Sequence, residues 1–468
     1  MSESGVSDAK RQSIGSFVRQ ALSGDVPDVA TGDLRRIVPL LALPMALEMT
    51  MEALFAIVDI YFVARLGDAS IAAVGLTEAM LALVYAAAFG LAMPTTAVVA
   101  RRMGEGSPED AAVAGAQSIW IGAAIGGLCA IGSLFGASLL ALMGAEGEVL
   151  EVGRTFTTLS LASSPVVVLL FVNNAILRGA GDATRAMRSL WLANGLNIVL
   201  DPCLILGLGP FPELGVTGAA AATLIGRGVG VLYQWYHLYR GPAVTLRGRM
   251  APNLDVAKRI LRLSIGGTVQ HLVETGSWMV LVRIMAGFGS AAVAGYTVAI
   301  RIVIFALLPA WGFSNATATL VGQSLGAGDP DRAERSVWVS GRYATMFLSA
   351  VALAFLLAPD WLATVFAGGG EGADVTAAGL FTIGLGFVFY GWQMVSQQAF
   401  NGAGDTTTPA VINAICFWGI QLPLAWALAH LAGLGPRGIF IAVASSYSIA
   451  AAISVVLVRR GRWKTVEV

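Results

Sequence analysis

Twelve long apolar segments, separated by short loops rich in Gly, Pro or charge, constrain this chain more than any other feature of its sequence. They are centred near positions 50, 85, 125, 165, 195, 230, 272, 308, 345, 385, 418 and 448. Each can supply the roughly 20 residues that a helix needs to cross the hydrocarbon core of a bilayer. The sequence therefore predicts an all-α integral membrane protein with twelve transmembrane helices.

Composition supports this prediction. Hydrophobic residues make up 56% of the 468 positions and charged residues only 12%, too few charges to cover a soluble body of this size. Lys+Arg and Asp+Glu balance at 29 each, so no excess of positive charge points to nucleic acid. The three cysteines and three histidines are too scattered for a disulfide framework or a metal cluster. The polar N-terminal stretch lacks the apolar core of a cleavable signal peptide.

Basic residues orient the segments. If the N-terminus is cytoplasmic, most of the 29 Lys and Arg fall in the predicted inner segments, above all in the first tail and between Arg240 and Arg262. The predicted outer loops hold only Arg65, Arg154 and Arg437. This bias follows the positive-inside rule. It predicts a multi-pass protein of the plasma (inner) membrane with both termini in the cytoplasm.

The second half of the sequence repeats the first. Gly104 and Pro108 of VARRMGEGSPEDA recur 222 residues later as Gly326 and Pro330 of VGQSLGAGDPDRA. The stretch LRGAGDAT is echoed by FNGAGDTT one residue out of that register. An even number of helices per repeat gives both halves the same orientation, so they face each other about an axis along the membrane normal with a cavity between them. This is the architecture of an alternating-access transporter.

The repeat divides the chain into five predicted parts. A cytoplasmic tail over residues 1–35 precedes an N-lobe of helices 1–6 over 36–240. A cytoplasmic linker over 241–256 leads to a C-lobe of helices 7–12 over 257–460, and a short tail over 461–468 follows. We expect the chain to act as a monomer.

Several motifs resemble the MATE (multidrug and toxic compound extrusion) family. They are LPMALEMTMEALFAIVDIYFVARLGDASIAAVGL in the first helix pair, the GxGxP loops, the two GAGD loops, and NIVLDP followed by GVTGAAAATLIGR. The similarity covers about residues 36–460. It implies a prokaryotic transporter of the MATE/MOP-type fold that exports lipophilic, cationic compounds in antiport with H⁺ or Na⁺. It further implies no cofactor and no enzymatic reaction.

Carboxylates within membrane helices are costly, so each indicates a functional site. The first predicted helix carries Glu48, Glu52 and Asp59. Their spacing places them within about 40° of one another around a helix of 3.6 residues per turn. They form one acidic stripe, which must face the lobe interior or an aqueous cleft. The alternative for Asp59 is a solvated position at the outer end of the helix.

The fifth predicted helix carries Asn194, Asn197 and Asp201, and a proline follows directly. A proline within a helix removes one backbone donor and so leaves one main-chain carbonyl oxygen free. Carboxylate, amide and main-chain carbonyl oxygens are hard ligands that suit Na⁺, although such residues also join helices as a polar patch. In the MATE family, the matching aspartate of the first helix and Asn-x-x-x-Asp of the fifth form a cation site. Asp59, Asn197 and Asp201 match that motif, so the resemblance implies a cation-coupling site with a possible Na⁺ here. Thr223 of the sixth helix is a further candidate.

Glu274 of the seventh helix lies 222 residues after Glu52, at the equivalent position of the repeat. It resembles the glutamate used by the NorM-like and eukaryotic branches. Those branches add an acid in the tenth helix, where this chain reads FYGWQMVSQQ. The missing acid favours a coupling site in the first lobe, as in the DinF-like branch, and leaves the participation of Glu274 open.

The other charges within predicted helices have simpler explanations. We expect an interhelical ion pair for each of Glu78, Arg227, Arg283 and Arg301. Arg178 lies at a helix end, where we expect its side chain to reach the lipid headgroups.

A drug cavity would be lined by residues suited to flat, lipophilic cations. Aromatic faces attract cations, and thioethers adapt to varied shapes. Ordinary packing is the alternative for each residue. The candidates are Asn173, Trp278, Met279, Tyr390, Trp392 and Met394.

Two other functions compete with drug export. A lipid-linked saccharide flippase shares the repeat architecture, but its anionic substrate needs a basic cavity, whereas carboxylates outnumber arginines within these helices. An intramembrane prenyl transferase needs DxxxD-type Mg²⁺ loops, which the sequence lacks. No G-x-x-x-x-G-K-[ST] loop for ATP occurs either.

Overall fold

The computed structural model describes residues 14–24, 29, 31–241 and 243–466, and these residues form helices joined by short turns. The predicted tails and linker therefore lie partly outside the described residues. The first half contains α1 (Ile14–Ser23), α2 (Leu34–Val63), α3 (Asp68–Gly104), α4 (Pro108–Ile131), α5 (Gly136–Leu142), α6 (Gly147–Ala162), α7 (Ser164–Gly179), α8 (Ala183–Leu206) and α9 (Val216–Arg240). The second half contains α10 (Leu254–Met285), α11 (Ser290–Gly326), α12 (Pro330–Leu357), α13 (Pro359–Ala367), α14 (Glu371–Ala403), α15 (Thr407–Asn413), α16 (Leu422–Trp426) and α17 (Pro436–Arg460).

By length and hydropathy, the described helices supply ten or eleven of the twelve predicted spans, and α10 stands where the remaining one was predicted. Ten helical segments are long and apolar enough to cross a membrane, and the pair α6 and α7, joined at a bend of 42°, makes an eleventh. α10 has 32 residues, also enough to cross, but polar side chains such as Gln270, His271 and Glu274 in its middle lower its hydropathy. The first predicted helix is thus α2, the fifth α8, the sixth α9, the seventh α10 and the tenth α14.

Two spans depart from a plain α-helix. The fourth divides at Ser163, because Pro165 stands in the first turn of α7 and ends the preceding helix. The eleventh, over Thr407–Leu431, contains π-helical turns at Ala414–Gln421 and Ala427–Leu431. In contrast, α8 continues through Pro202 to Leu206, so the fifth span is one helix.

The two halves pack together through close approaches of small residues. α2 lies against α11, and α3 lies against α10 and α11. A Cβ added to Gly312 of α11 would fall 2.6 Å from the carbonyl oxygen of Ala42, and one added to Gly104 would fall 2.0 Å from the carbonyl oxygen of Gln323. We call these contacts, together with that of Gly90 and Thr268, the lobe seam. The lobe seam lies toward the end of the bundle at which both described chain ends are found, which we call the terminal face.

The segment before α2 bridges both halves at the terminal face. Thr184 Oγ1 and the Arg188 guanidinium of α8 donate to main-chain carbonyls at the end of α1, at 3.0 and 2.6 Å. From the second half, Arg332 of α12 donates to the carbonyls of Val29 and Gly32, at 2.9 and 2.6 Å. This N-terminal strap thus joins α8 to α12 across the lobe seam, an arrangement that the polar sequence of the tail did not indicate.

Candidate cation site in the first half

The acidic stripe of α2 faces the interior of the first half. Glu48 is 1% exposed, the Glu52 side chain is 30% exposed, and Asp59 is half-buried. Each carboxylate meets a different set of side chains from α7, α8 and α9. The stripe therefore consists of three levels, with Glu48 nearest the terminal face and Asp59 farthest from it.

At the innermost level, Glu48 is bound by donors from α7. Asn174 Nδ2 donates to Glu48 Oε1 at 2.9 Å, and the Arg178 guanidinium lies 3.5 Å from the same oxygen. The expectation that Arg178 reaches the headgroups is wrong, because its guanidinium turns toward the buried carboxylate of Glu48 and its side chain is only 12% exposed. The spacing of Asn174 and Arg178, one helical turn apart, is the signal that could have placed them on one face.

At the middle level, Glu52 is shared by α8 and α9. Asn194 Nδ2 donates to Glu52 Oε2 at 2.7 Å, and the Arg227 guanidinium lies 3.4 Å from Oε1. Arg227 also donates to the Tyr85 hydroxyl at 2.9 Å and is only 5% exposed. The predicted interhelical ion pair of Arg227 is confirmed, with Glu52 as its partner.

At the outermost level, buried side-chain oxygens of Asp59, Asn197 and Asp201 accept no hydrogen bond. Both carboxylate oxygens of Asp201, one of Asp59 and the amide oxygen of Asn197 are buried without a hydrogen-bond partner. Asp201 is 0% exposed, and the charge of Asp59 acts on it. The Asn197 amide is oriented by Thr223, since its Nδ2 donates to Thr223 Oγ1 at 3.0 Å.

This outermost level has the chemistry of a cation site. Buried carboxylates without donors are costly unless a proton or a metal ion neutralises them. The described residues hold no group of three or more His, Cys, Asp or Glu that could bind a metal. The oxygens available to a Na⁺ at this level are those of Asp59 and Asp201 and the amide oxygen of Asn197.

Two further charges lie near the outermost level. Glu78 of α3 acts electrostatically on Asp59, and Arg301 of α11 acts on Glu78 from the second half. Both side chains are exposed, and neither lies within 4 Å of an opposite charge in the described part of the chain. They face each other across the halves rather than within one helix pair.

Glu274 lies apart from the acidic stripe, in an aromatic environment of the second half. Its carboxyl group lies near the hydroxyl of Tyr447, and the two groups interact electrostatically. Tyr390 stacks on Tyr447 with ring centroids 4.2 Å apart, and Trp278 lies 6.4 Å from the same ring. The structure thus places Glu274 with two of the predicted cavity residues and away from the three levels of α2.

The other predicted cavity residues do not share one surface. Trp392 packs against Trp338 and Gly341 of α12, whereas Tyr390, two residues earlier, faces α17. Met279 is 67% exposed, and Met394 packs against the core of the second half. Asn173 is fully buried in α7 with both polar side-chain atoms unpartnered.

Comparison with known proteins gives the family. The MatE family model matches residues 44–203 and 268–427, one copy in each half. The probable multidrug resistance protein NorM of Thermotoga maritima is 26% identical over 441 residues, covering 94% of this chain and 95% of that protein. A FAD transporter of Shewanella oneidensis is 26% identical over 397 residues, covering 83% of this chain and 86% of that protein.

A solved structure supports the same assignment. It is the outward-facing conformation of a multidrug resistance MATE family transporter of the MOP superfamily, with a TM-score of 0.86 and 30% identity, covering 92% of this chain and 96% of that one. The all-α fold, the repeat and the two matched copies of the family model agree with one another. The chain belongs to the MATE family of multi-pass membrane transporters.

Proposed function

We propose that the protein is a secondary active multidrug efflux transporter, which exports lipophilic, cationic compounds in antiport with H⁺ or Na⁺ by alternating access. The observation that carries the proposal is the set of donor-free oxygens of Asp59, Asn197 and Asp201, which needs a cation. The names of the Thermotoga relative and of the similar structure support the class of substrate.

The lobe seam supports the conformational part of the proposal. Close contacts near the terminal face hold the halves together there, while Glu78 and Arg301 interact across the halves without an ion pair within 4 Å among the described residues. We assign the terminal face to the cytoplasm of an inner-membrane protein, so that the structure corresponds to an outward-facing state. The acidic stripe then receives its cation from outside.

The proposed organisation follows the sequence repeat. Residues 36–240 form the N-lobe, 241–256 the linker and 257–460 the C-lobe, with cytoplasmic tails at both ends. The coupling site lies in the N-lobe of a monomer, as in the DinF-like branch, with Glu274 contributing secondarily. A DinF-like assignment is supported by Met394 and its neighbours in α14, where no carboxylate stands between Asp374 and Asp405.

An anionic substrate is the second candidate, because one relative is named a FAD transporter. Arg227 lies at the middle level and Arg178 at the innermost level, and each is paired with a carboxylate of α2. Asp59 and Asp201 add negative charge without a basic partner within 4 Å in the described chain. A cationic substrate is therefore favoured over a flavin nucleotide or a lipid-linked saccharide.

Equilibrium binding tests the proposal. The affinity of the purified protein for ethidium, a flat aromatic cation, is titrated against Na⁺ at fixed pH and against pH without Na⁺. Antiport requires reciprocal coupling, so affinity should fall as one of the two ions rises. An affinity that ignores both ions rejects the antiport mechanism, and binding of FAD in place of ethidium rejects the cationic substrate.

A further inference from the structure

Glu48 and its neighbours form a second buried polar site, separate from the site at Asp59. The carboxylate is 1% exposed, and its Oε1 accepts from Asn174 and lies beside Arg178. Its Oε2 is buried without a partner. Oε1 is thus fully hydrogen-bonded, and Oε2 is free to accept a hydrogen bond.

The surroundings of Glu48 are tied together by further hydrogen bonds. Asn174 Oδ1 accepts from Ser189 Oγ at 3.1 Å and from Gln234 Nε2 at 2.9 Å. Gln234 is 0% exposed, and its own carbonyl oxygen Oε1 has no partner. Two unpartnered acceptors, on Glu48 and Gln234, therefore belong to one buried network that α2, α7, α8 and α9 build together.

The chemistry of this site selects a proton over a metal ion. Asn174 presents its amide nitrogen, not its oxygen, to Glu48, and Arg178 adds a guanidinium. A metal ion beside these donors would be repelled, whereas a proton needs only the free Oε2. This differs from the level of Asp59, where the surrounding groups are oxygen atoms.

Hydrogen bonds from the second half, beside the lobe seam, cover the Glu48 site on the side of the terminal face. Thr319 Oγ1 of α11 donates to the carbonyl oxygen of Arg178 at 3.0 Å, and Gln323 Nε2 donates to that of Gly179 at 2.9 Å. Arg178, which holds Glu48, is therefore fixed on its main-chain side by the opposite half. Separation of the halves at the terminal face would break these contacts and expose the end of α7 that carries Arg178.

We propose that Glu48 is the inner proton-release station of the N-lobe, from which a proton leaves for the cytoplasm when the lobe seam opens. The proposal deepens the function proposed above and rests on it. A proton bound at Asp59 or Asp201 passes through water of the cleft to Glu52, then to Oε2 of Glu48, and finally to cytoplasmic water. Only O–H bonds form and break, and one proton enters as the substrate leaves.

The spacing along α2 fits this order. Glu52 lies about 10 Å of helix rise from Asp59, and Glu48 about 6 Å farther, at 1.5 Å per residue. Glu52 is 30% exposed and can exchange a proton with solvent water, whereas Glu48 is buried. The charged groups that act on Glu48 are Arg178 of α7 and Glu52 of α2 itself. The neighbouring helices α8 and α9 contribute the neutral side chains described above, and α11 contributes neutral Thr319.

Proteoliposomes test the proposal by comparing two modes of transport in Glu48→Gln. Exchange of ethidium inside for ethidium outside needs no proton step, whereas transport driven by a pH gradient does. We expect exchange within about twofold of wild type and proton-driven transport reduced at least about tenfold, which corresponds to about 1.4 kcal/mol in the limiting step. Glu109→Gln, on an exposed surface carboxylate, is the matched control.

The outcomes separate this proposal from the function on which it rests. Wild-type transport driven by neither ion rejects antiport itself. Wild-type transport driven by Na⁺ alone, or a Glu48→Gln variant with normal proton-driven transport, overturns only the release station. Equal loss of ethidium exchange and of proton-driven transport would mean that Glu48 only holds the helices in place, and it also overturns the release station. If Glu48→Gln does not fold, Glu48→Asp replaces it, and unchanged proton-driven transport at every pH rejects the proposal.

Discussion

Gly90 of α3 and Thr268 of α10 are in such close contact that a Cβ added to Gly90 would fall 2.0 Å from Thr268 Oγ1 and 2.7 Å from its main-chain nitrogen. The two residues belong to opposite halves of the chain. The main chain of α10 cannot move aside without moving the whole helix. Any side chain at position 90 must therefore push the halves apart at the lobe seam.

Gly90→Leu should accordingly shift the protein away from the structure described here. We expect spin labels at Glu109 and Asp331, both exposed and in opposite halves, to move apart at the terminal face. Double electron–electron resonance measures the distance between the two labels. Ethidium efflux should also fall at least about tenfold. Gly127→Ala is the control, since nothing lies within 4 Å of its Cβ position. An unchanged label distance in Gly90→Leu would contradict the role of the contact.

Asp59→Asn should abolish coupled efflux while leaving the protein folded and inserted. The substitution keeps the size of the side chain but removes one of the two negative charges that require a cation. Efflux from proteoliposomes under imposed Na⁺ and pH gradients measures the effect, which we expect to exceed about tenfold. Asp110→Asn, on an exposed acid of α4, should behave as wild type. Normal efflux by a well-expressed Asp59→Asn protein would remove Asp59 from the mechanism.

Asp201→Asn should flatten the dependence of substrate affinity on the coupling ion. With one carboxylate replaced, the site at Asp59 no longer holds two charges that a cation must neutralise together. Ethidium binding titrated against Na⁺ and against pH should then change less than about twofold across a range that shifts the wild-type affinity about tenfold. A full wild-type response in this variant would place the coupling ion elsewhere.

Glu274→Gln should be milder than Asp59→Asn. The glutamate lies near the Tyr447 hydroxyl in the second half, away from the three levels of α2. We expect coupled efflux to decline by less than about threefold, since a neutral amide can keep a hydrogen bond to that hydroxyl. Complete loss in Glu274→Gln, combined with a nearly active Asp59→Asn, would move the coupling site to the C-lobe.

Regular spacing made much of this molecule predictable. A helical period places Glu48, Glu52 and Asp59 on one face, and the structure turns that face toward the interior of the first half. Likewise, the one-turn spacing of Asn197 and Asp201 brings both to the outermost level. The role of these residues in cation coupling stays a prediction, because geometry alone does not measure transport.

Partners set by tertiary packing were harder to predict. Arg178 ends its helix next to a loop, a position typical of a residue that reaches the interface, yet the tertiary fold places its guanidinium beside Glu48 of α2. The division of the fourth span at Ser163 follows from a local proline, but its angle of 42° depends on what the two helices pack against. Neither the partner of Arg178 nor that angle is encoded in nearby sequence.

The N-terminal strap has a consequence for how its sequence can vary. Thr184, Arg188 and Arg332 all bind main-chain carbonyl oxygens of the strap, and every amino acid supplies such an oxygen. These three contacts thus depend on the course and length of the chain rather than on the identity of its side chains. Related proteins could keep the same bridge with unrelated sequences before α2, where an alignment would find nothing in common.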